Sequence, residues 1–165
     1  MESLFEATAA NIHCHYRSIA VEFLAQQRVR PARYTDVEPW RQGRQRYWCW
    51  CIDVSSPQIM ARLERQQRRL SGLIMPSYQR QPHLTLAVCG FWQSLPLLSP
   101  RGDDFFEADL QRQLSQIADF PWSSFELSVL GTNSFASAPF LEVIDPSHEH
   151  KLQRLRNCLS PQDDD

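Results

Sequence analysis

The sequence has no strong excess of either charge. Its 165 residues carry a formal net charge of −2, and the isoelectric point is near 6.2. A protein that coats long nucleic acid usually presents a broad positive surface, and this composition does not supply one. Any nucleic-acid substrate is therefore expected to be a short molecule or a chain end.

Long apolar runs are also missing. No stretch approaches the roughly 20 apolar residues that cross a bilayer. The first residues, Met-Glu-Ser-Leu-Phe-Glu, have neither the basic segment nor the unbroken apolar segment of a secretion signal. The sequence thus predicts a protein without a membrane partner.

Cysteine is too sparse for a secreted fold held by disulfides. The five cysteines are Cys14, Cys49, Cys51, Cys89 and Cys158. Their number is odd, and they lack the dense spacing of a small secreted framework. We therefore expect reduced thiols and a cytoplasmic location.

The chain is long enough for one compact domain or for two small lobes that share a groove, because 42% of its side chains are hydrophobic. Apolar residues recur at three- and four-residue steps over residues 3–28, which predicts an amphipathic helix. Residues 28–46 contain Pro31, Pro39 and six arginines and are typical of a connector. Residues 1–45 are therefore predicted to be an N-terminal helix followed by an Arg- and Pro-rich connector.

The remaining segments alternate between strand and helix patterns. Residues 47–54 read as a strand with Trp48 and Trp50 on one face and Cys49 and Cys51 on the other. Ser56 as N-cap and Pro57 at the first helical position start a helix whose buried stripe is Ile59, Leu63, Leu70 and Leu73. The later predictions are a strand at 82–91, a helix at about 103–119 with Phe106, Leu110, Leu114 and Ile117 inward, strands at 125–130 and 140–144 joined by a turn at 131–134, and a helix at 146–159 with Leu152, Leu155 and Leu159 inward. The order predicts an α+β fold whose first lobe is βαβ-like or a split βαβ.

A weak internal echo suggests two related halves. Ile52-Asp53-Val54-Ser55 and Ile144-Asp145-Pro146-Ser147 each lead into an amphipathic helix. In the first half His83 follows 30 positions after Asp53, and the same offset from Asp145 falls beyond Asp165. If the halves are repeats, the second stops before its own histidine-bearing strand.

His83 and Thr85 are the residues most able to do chemistry. They are two apart on a predicted strand and so share a face, while Leu84, Leu86 and Val88 are expected on the other. An imidazole can accept or give a proton near neutral pH, and a neighbouring hydroxyl can hydrogen-bond a phosphate oxygen. Taken alone, a strand histidine is more often a hydrogen-bonded structural residue.

The wider context of this motif resembles a known family. The ordered set comprises a strand, a helix, the Pro82-His83-x-Thr85 strand, an Asp103-Asp104-Phe105 segment, Phe125-x-Leu-x-Val-x-Gly and Phe140-Leu-x-Val. Across residues 47–159 it resembles the 2H phosphoesterase superfamily, which includes bacterial 2′-5′ RNA ligases and 2′,3′-cyclic phosphodiesterases. The resemblance implies a bilobal fold of antiparallel sheets flanked by helices, in which each lobe contributes one His-x-Thr/Ser strand to a shared groove.

The resemblance also implies a site and a reaction. His83 would be one member of a general acid/base pair and Thr85 a phosphate ligand, with no metal or other cofactor. The substrate would be a nucleotide or RNA end with a 2′,3′-cyclic phosphate or a 2′-5′ linkage. The sequence contains one His-x-Thr motif, and the family's second is expected on a strand after the last helix. Residues 46–165 are therefore expected to be a 2H phosphoesterase-like domain that is incomplete at its C-terminus and weakly active or inactive.

Other readings stay open. His13-Cys14-His15 and Cys49-Trp50-Cys51 suggest a metal site, but their spacing does not fit common zinc motifs, and a buried, inert role is common for cysteines on a strand. Tryptophans can stack on bases, although core packing is the more frequent role. The functional alternatives are a non-catalytic module that binds nucleotides or RNA ends, and a non-functional fragment.

Overall fold

The computed structural model describes residues 15–26, 37–74, 81–94, 101–136, 138–147 and 149–160. Their elements are α1 (residues 15–25), α2 (Glu38–Arg41), β1 (Tyr47–Asp53), α3 (Pro57–Arg69), β2 (His83–Gln93), β3 (Asp104–Phe106), α4 (Glu107–Ala118), β4 (Ser128–Ser134), β5 (Pro139–Ile144) and α5 (Lys151–Leu159). This mixture confirms the α+β class.

The chain forms two compact units. The first contains the described residues of 1–37 together with 123–151, and the second contains those of 38–122 together with 152–165. The first unit therefore holds α1, β4 and β5. The second holds the β1-β2-β3 sheet, the helices α2, α3 and α4, and α5 from its second residue onward.

In the second unit, β1 and β2 pair antiparallel, with Asp53 opposite His83 and Cys51 opposite Thr85. Because residues that face each other in such a pair point to the same side, these four side chains share one face of the sheet. Since β1 and β2 are antiparallel, the strands on either side of α3 do not form a simple βαβ unit, in which they would run parallel.

Two register shifts change the second half of β2. They fall between Trp48 and Cys49 and between Trp50 and Cys51, so that Val88 stands opposite Cys49. The prediction that Val88 lies on the face away from Thr85 is therefore wrong. Each irregularity places an extra residue on β2, and simple alternation along that strand no longer holds.

Helix α3 begins as the sequence predicts. Ser56 has an extended backbone, and its hydroxyl accepts a hydrogen bond from the Ile59 amide at 3.3 Å, with Pro57 at the first helical position. The predicted buried stripe is found only in part, because Ile59, Leu63 and Leu70 are half-buried and Leu73 is 81% exposed. The helix ends at Arg69, and Leu73 lies in the following turn, where helical periodicity no longer applies.

Residues 104–106 form a strand and are not part of the predicted helix. Gly90 has φ +123°, and a Cβ there would lie 2.4 Å from the Asp103 carbonyl oxygen. This close approach lets the Phe91 amide donate to that oxygen at 2.7 Å, and Asp104–Phe106 then pairs parallel with residues 91–93. Helix α4 starts only at Glu107. In its first turn the Asp109 carboxylate accepts a hydrogen bond from the Phe106 amide at 3.0 Å.

The core of the second unit is built on β2, β3 and α5. Its buried apolar residues are Phe91, Phe105, Leu152, Leu155 and Leu159. The predicted inward leucines of the last helix are thus confirmed, although α5 begins at Lys151 and not at residue 146.

The inward face of α4 was predicted less well. Leu114 is 42% exposed, and the buried residue is Gln113. Its side-chain oxygen accepts from the Trp50 indole at 2.8 Å, and its amide donates to the Leu159 carbonyl at 3.0 Å. A glutamine is stable there because its hydrogen bonds are made, which the apolar pattern cannot show.

In the first unit, α1 docks on the β4-β5 pair. The Tyr16 hydroxyl donates to the Val143 carbonyl at 2.6 Å and accepts from the Val143 amide at 3.0 Å. Asn133 donates to the Tyr16 carbonyl at 2.8 Å and to Glu142 at 2.9 Å. The helix is thus confirmed over residues 15–25, and the rest of its predicted span lies outside the described residues.

Strand β4 is displaced from its predicted position. It covers Ser128–Ser134, so that the predicted turn at residues 131–134 is part of the strand. The register shift between Val129 and Thr132 places an irregularity there, and the turn comes later, where the Phe135 amide donates to the Ala138 carbonyl at 3.1 Å.

Candidate active site

His83 is the first residue of β2, and its side chain is half-buried. Its Nδ1 lies 2.7 Å from the Gln81 carbonyl oxygen. A carbonyl oxygen can only accept a hydrogen bond, so this contact assigns the proton of the neutral ring to Nδ1. Nε2 then carries the lone pair and can accept a proton.

Gln81 is held in turn by Asp53. The Gln81 side chain donates to Asp53 Oδ2 at 2.8 Å, while Oδ1 accepts from the Ser55 amide at 2.9 Å and from the Ser55 hydroxyl at 2.5 Å. The hydrogen bonds from Ser55 lower the pKa of Asp53 below its ordinary value. The end of β1 therefore fixes the residue that orients His83.

Thr85 lies beside His83 on the same face and stands opposite Cys51. Its main-chain oxygen accepts a hydrogen bond from Arg156 Nη2 of α5 at 3.2 Å. A guanidinium is a strong donor, and here it anchors the backbone of β2 at the motif. Sequence reasoning missed Arg156 because 71 positions separate the two residues.

The face around Thr85 is open along β1. Cys49 and Cys51 are both exposed, and Val88 is 55% exposed. The expectation that the two cysteines are buried is therefore wrong. In the described ranges, no group of three or more His, Cys, Asp or Glu side chains is placed to hold a metal ion. His13 and Cys14 lie outside those ranges.

The far end of this face is closed by α2 and the segment that follows it. The centre of the Phe91 ring lies 4.7 Å from the ring centre of Trp40 and 4.8 Å from that of Tyr47. The Arg44 guanidinium lies 3.9 Å above the centre of the Phe91 ring. The predicted connector thus contains a short helix in its described part, from residue 37 onward.

Arg44 is held between two carboxylates. It donates to Asp103 at 2.6 Å and to Asp104 at 3.0 Å, where the Asp104 side chain is 0% exposed. The hydrogen bond from Arg44 lowers the pKa of Asp103. Burial is the largest influence on the pKa of Asp104 and raises it, but hydrogen bonds from the Arg101 amide, Arg44 and Gln93 together lower it.

The tryptophans divide between core and surface. Trp50 is half-buried and donates its indole N–H to Gln113, as expected of a core residue. Trp48 stacks on Trp92 with ring centres 4.9 Å apart and remains partly exposed. The two rings stack on each other, which favours a packing role for both.

The four other histidines of the sequence belong to the residues of the first unit. His83 is the only histidine of the sequence in residues 38–122 and 152–165. His15 is exposed on α1, and His150 has a positive φ of 48°. His13 and His148 lie outside the described residues. The structure thus brings His83 and Thr85 together on one face of the sheet.

None of the described helices is both long enough and apolar enough to span a membrane.

The model of the 2′-5′ RNA ligase superfamily matches residues 55–162, which include α3, the Pro82-His83-Leu84-Thr85 motif and α5. Comparisons with curated proteins and with solved structures give no match. The family match covers well over half of the chain, and the chain therefore belongs to the 2′-5′ RNA ligase superfamily, a group of 2H phosphoesterases.

Proposed function

We propose that this chain is a metal-independent phosphodiesterase that opens 2′,3′-cyclic phosphates or cleaves 2′-5′ linkages at nucleotide or RNA ends. Membership of the 2′-5′ RNA ligase superfamily supports the substrate class. The observation that carries the proposal is the 2.7 Å contact of His83 Nδ1 with the Gln81 carbonyl. It leaves Nε2 as the proton acceptor of a residue that shares a face of the sheet with Thr85.

In this proposal His83 acts as the general base. Nε2 removes a proton from a water molecule, and the water oxygen bonds to phosphorus as the bond from phosphorus to the ribose oxygen breaks. The Thr85 hydroxyl donates to a non-bridging phosphate oxygen, where negative charge grows in the transition state. A positioned general base contributes about 10²–10⁴-fold in rate.

The leaving ribose oxygen must also gain a proton. The sequence contains one His-x-Thr motif and no His-x-Ser, so one histidine is assigned here and the leaving oxygen takes its proton from solvent. The expected turnover is therefore slow. The same observation favours, as a second candidate, a module that binds phosphorylated nucleotide ends without turning them over.

The residues around the motif are proposed to position it. Asp53 holds Gln81, whose carbonyl orients the His83 ring, and Arg156 holds the backbone at Thr85. Neither the Asp53 nor the Arg156 side chain needs to touch the substrate. Their loss would disorder His83 or Thr85 and slow the reaction, since small misplacements of reacting groups are costly.

The test is hydrolysis of a 2′,3′-cyclic nucleotide by the full chain with a metal chelator present. We expect slow turnover that is lost in His83→Ala and kept in His15→Ala, a control in which an exposed histidine of α1 is removed. Circular dichroism would verify that both variants fold. Equal turnover in His83→Ala and wild type would contradict the proposal, and binding of the cyclic nucleotide without turnover would favour the binding module.

A further inference from the structure

Cys49 and Cys51 form a thiol pair on the exposed edge of the sheet. Both side chains are exposed, and their Sγ atoms lie 3.4 Å apart. They share the face of Thr85, because Cys51 stands opposite Thr85 and Cys49 opposite Val88. The two sulfurs are therefore in contact with each other and accessible from solvent.

The backbone around the pair can adjust. A disulfide has an S–S length of about 2.05 Å, so the sulfurs must approach by roughly 1.4 Å from their present distance. In the described sheet β1 is an edge strand with only β2 as its neighbour. A register shift lies immediately before each cysteine. An edge strand with irregular pairing yields more easily than a central, regular one.

The other described cysteines are in different surroundings. Cys89 is half-buried and donates to Gln113 at 3.6 Å, and burial, the largest influence, raises the pKa of its thiol. Cys158 is also half-buried and donates to the Gln116 carbonyl at 3.3 Å. Oxidants react with accessible thiolates, so these two thiols are protected.

We propose that Cys49 and Cys51 are an oxidant-sensitive dithiol, which a peroxide closes into a reversible intramolecular disulfide. One thiolate attacks a peroxide oxygen, the O–O bond breaks, a sulfenic acid forms, and the departing hydroxide takes a proton from solvent to become water. The second thiolate attacks the sulfenic sulfur, the S–S bond forms, and the departing hydroxide takes a proton to become water. Two thiols are thereby oxidised as one hydrogen peroxide is reduced to two waters.

The disulfide should be easy to reduce. Its ring spans a single intervening residue, Trp50, within an extended strand, and strained or exposed disulfides are the labile ones. A small thiol would reopen it by exchange. If the proposed hydrolysis at His83 and Thr85 holds, closing the ring opposite Thr85 would also lower turnover. The dithiol itself does not depend on that activity.

The experiment treats the full chain with a few equivalents of hydrogen peroxide, blocks remaining thiols with iodoacetamide, and digests it with trypsin. Cleavage after Arg46 and Arg62 places both cysteines in the peptide 47–62. We expect this peptide to lose about 2 Da and to escape alkylation, as two hydrogens leave on disulfide formation. The peptides with Cys89 and Cys158 should still be alkylated, and dithiothreitol should restore alkylation of 47–62.

Two sets of variants make the result decisive. A Cys14→Ser/Cys89→Ser/Cys158→Ser variant should form the same closed peptide, whereas Cys49→Ser should accumulate sulfenic or higher acids on Cys51 instead. Disulfide-linked dimers, or oxidation of Cys89 as fast as that of the pair, would overturn the proposal. Because the readout is a mass, failure of the dithiol is distinguishable from absence of phosphodiesterase activity.

Discussion

Two strand-to-helix junctions in this protein begin with the same turn and have different surroundings. After β1, the Asp53 carboxylate accepts from the amide of Ser55 at 2.9 Å, and after β5 the Asp145 carboxylate accepts from the amide of Ser147 at 2.8 Å. Asp53 is exposed and also binds Gln81, which orients His83. Asp145 is only 8% exposed.

The comparison separates what is local from what is tertiary. An aspartate favours this turn in either place, because its short side chain reaches the backbone amide two residues later. The link from Asp53 to His83 exists because β1 pairs with β2 in a register that sets the two residues opposite each other. The turn alone therefore does not make a site, because His83 lies on the paired strand β2.

The largest effect on activity is expected for Asp53→Ala. Without the carboxylate, Gln81 loses its anchor and the His83 ring loses its fixed orientation. We expect hydrolysis of a cyclic nucleotide to fall by about 10- to 100-fold, on the scale of a misplaced catalytic group. The measurement is kcat for the variant and wild type. Unchanged kcat in a folded Asp53→Ala protein would show that the anchor has no part in the site.

The opposite pattern is expected for Asp145→Ala. This buried carboxylate holds the second junction, and loss of a hydrogen bond to a charged group costs about 1.5–3 kcal/mol of unfolding free energy. Urea denaturation should reveal a lower midpoint for Asp145→Ala than for Asp53→Ala. The rate per folded molecule should stay at the wild-type value. A loss of kcat as large as that of Asp53→Ala would contradict the proposed difference between the two junctions.

The smallest effect is a pH dependence at the first junction. The pKa of Asp53 is lowered by its bonds to Ser55, so its ionised form stabilises the folded state above the ordinary value of 3.8. This contribution disappears as pH falls through the lower folded-state pKa. The difference in urea midpoint between wild type and Asp53→Asn should therefore be constant from neutral pH to about 4 and shrink below it. A difference that grows on acidification would contradict the assigned direction.

Local signals in the sequence predicted part of this fold. The Ser56 cap with Pro57, the three inward leucines of α5 and the shared face of His83 and Thr85 each depend on residues close in the chain. Such features follow from helix capping and from the two periodicities of helix and strand.

Other features depended on distant partners and could not be predicted. Strand β3 exists because Gly90 lets the Asp103 carbonyl approach β2, and the buried Gln113 is stable because Trp50 and Leu159 complete its hydrogen bonds. In the site, the same limit applies to Arg156. The echo around Asp53 marked the position of the anchor, but its link to His83 became visible only in the paired strands.

The central claim is that the Gln81 carbonyl fixes His83 with its proton on Nδ1 and its lone pair on Nε2. The direct measurement is the pair of nitrogen chemical shifts of the His83 ring in the ¹⁵N-labelled full chain, at a pH where the ring is neutral. The signal is assigned by its loss in His83→Gln. The account predicts a protonated Nδ1 and a bare Nε2, and a ring protonated on Nε2 would contradict it, because His83 could not then act as the general base.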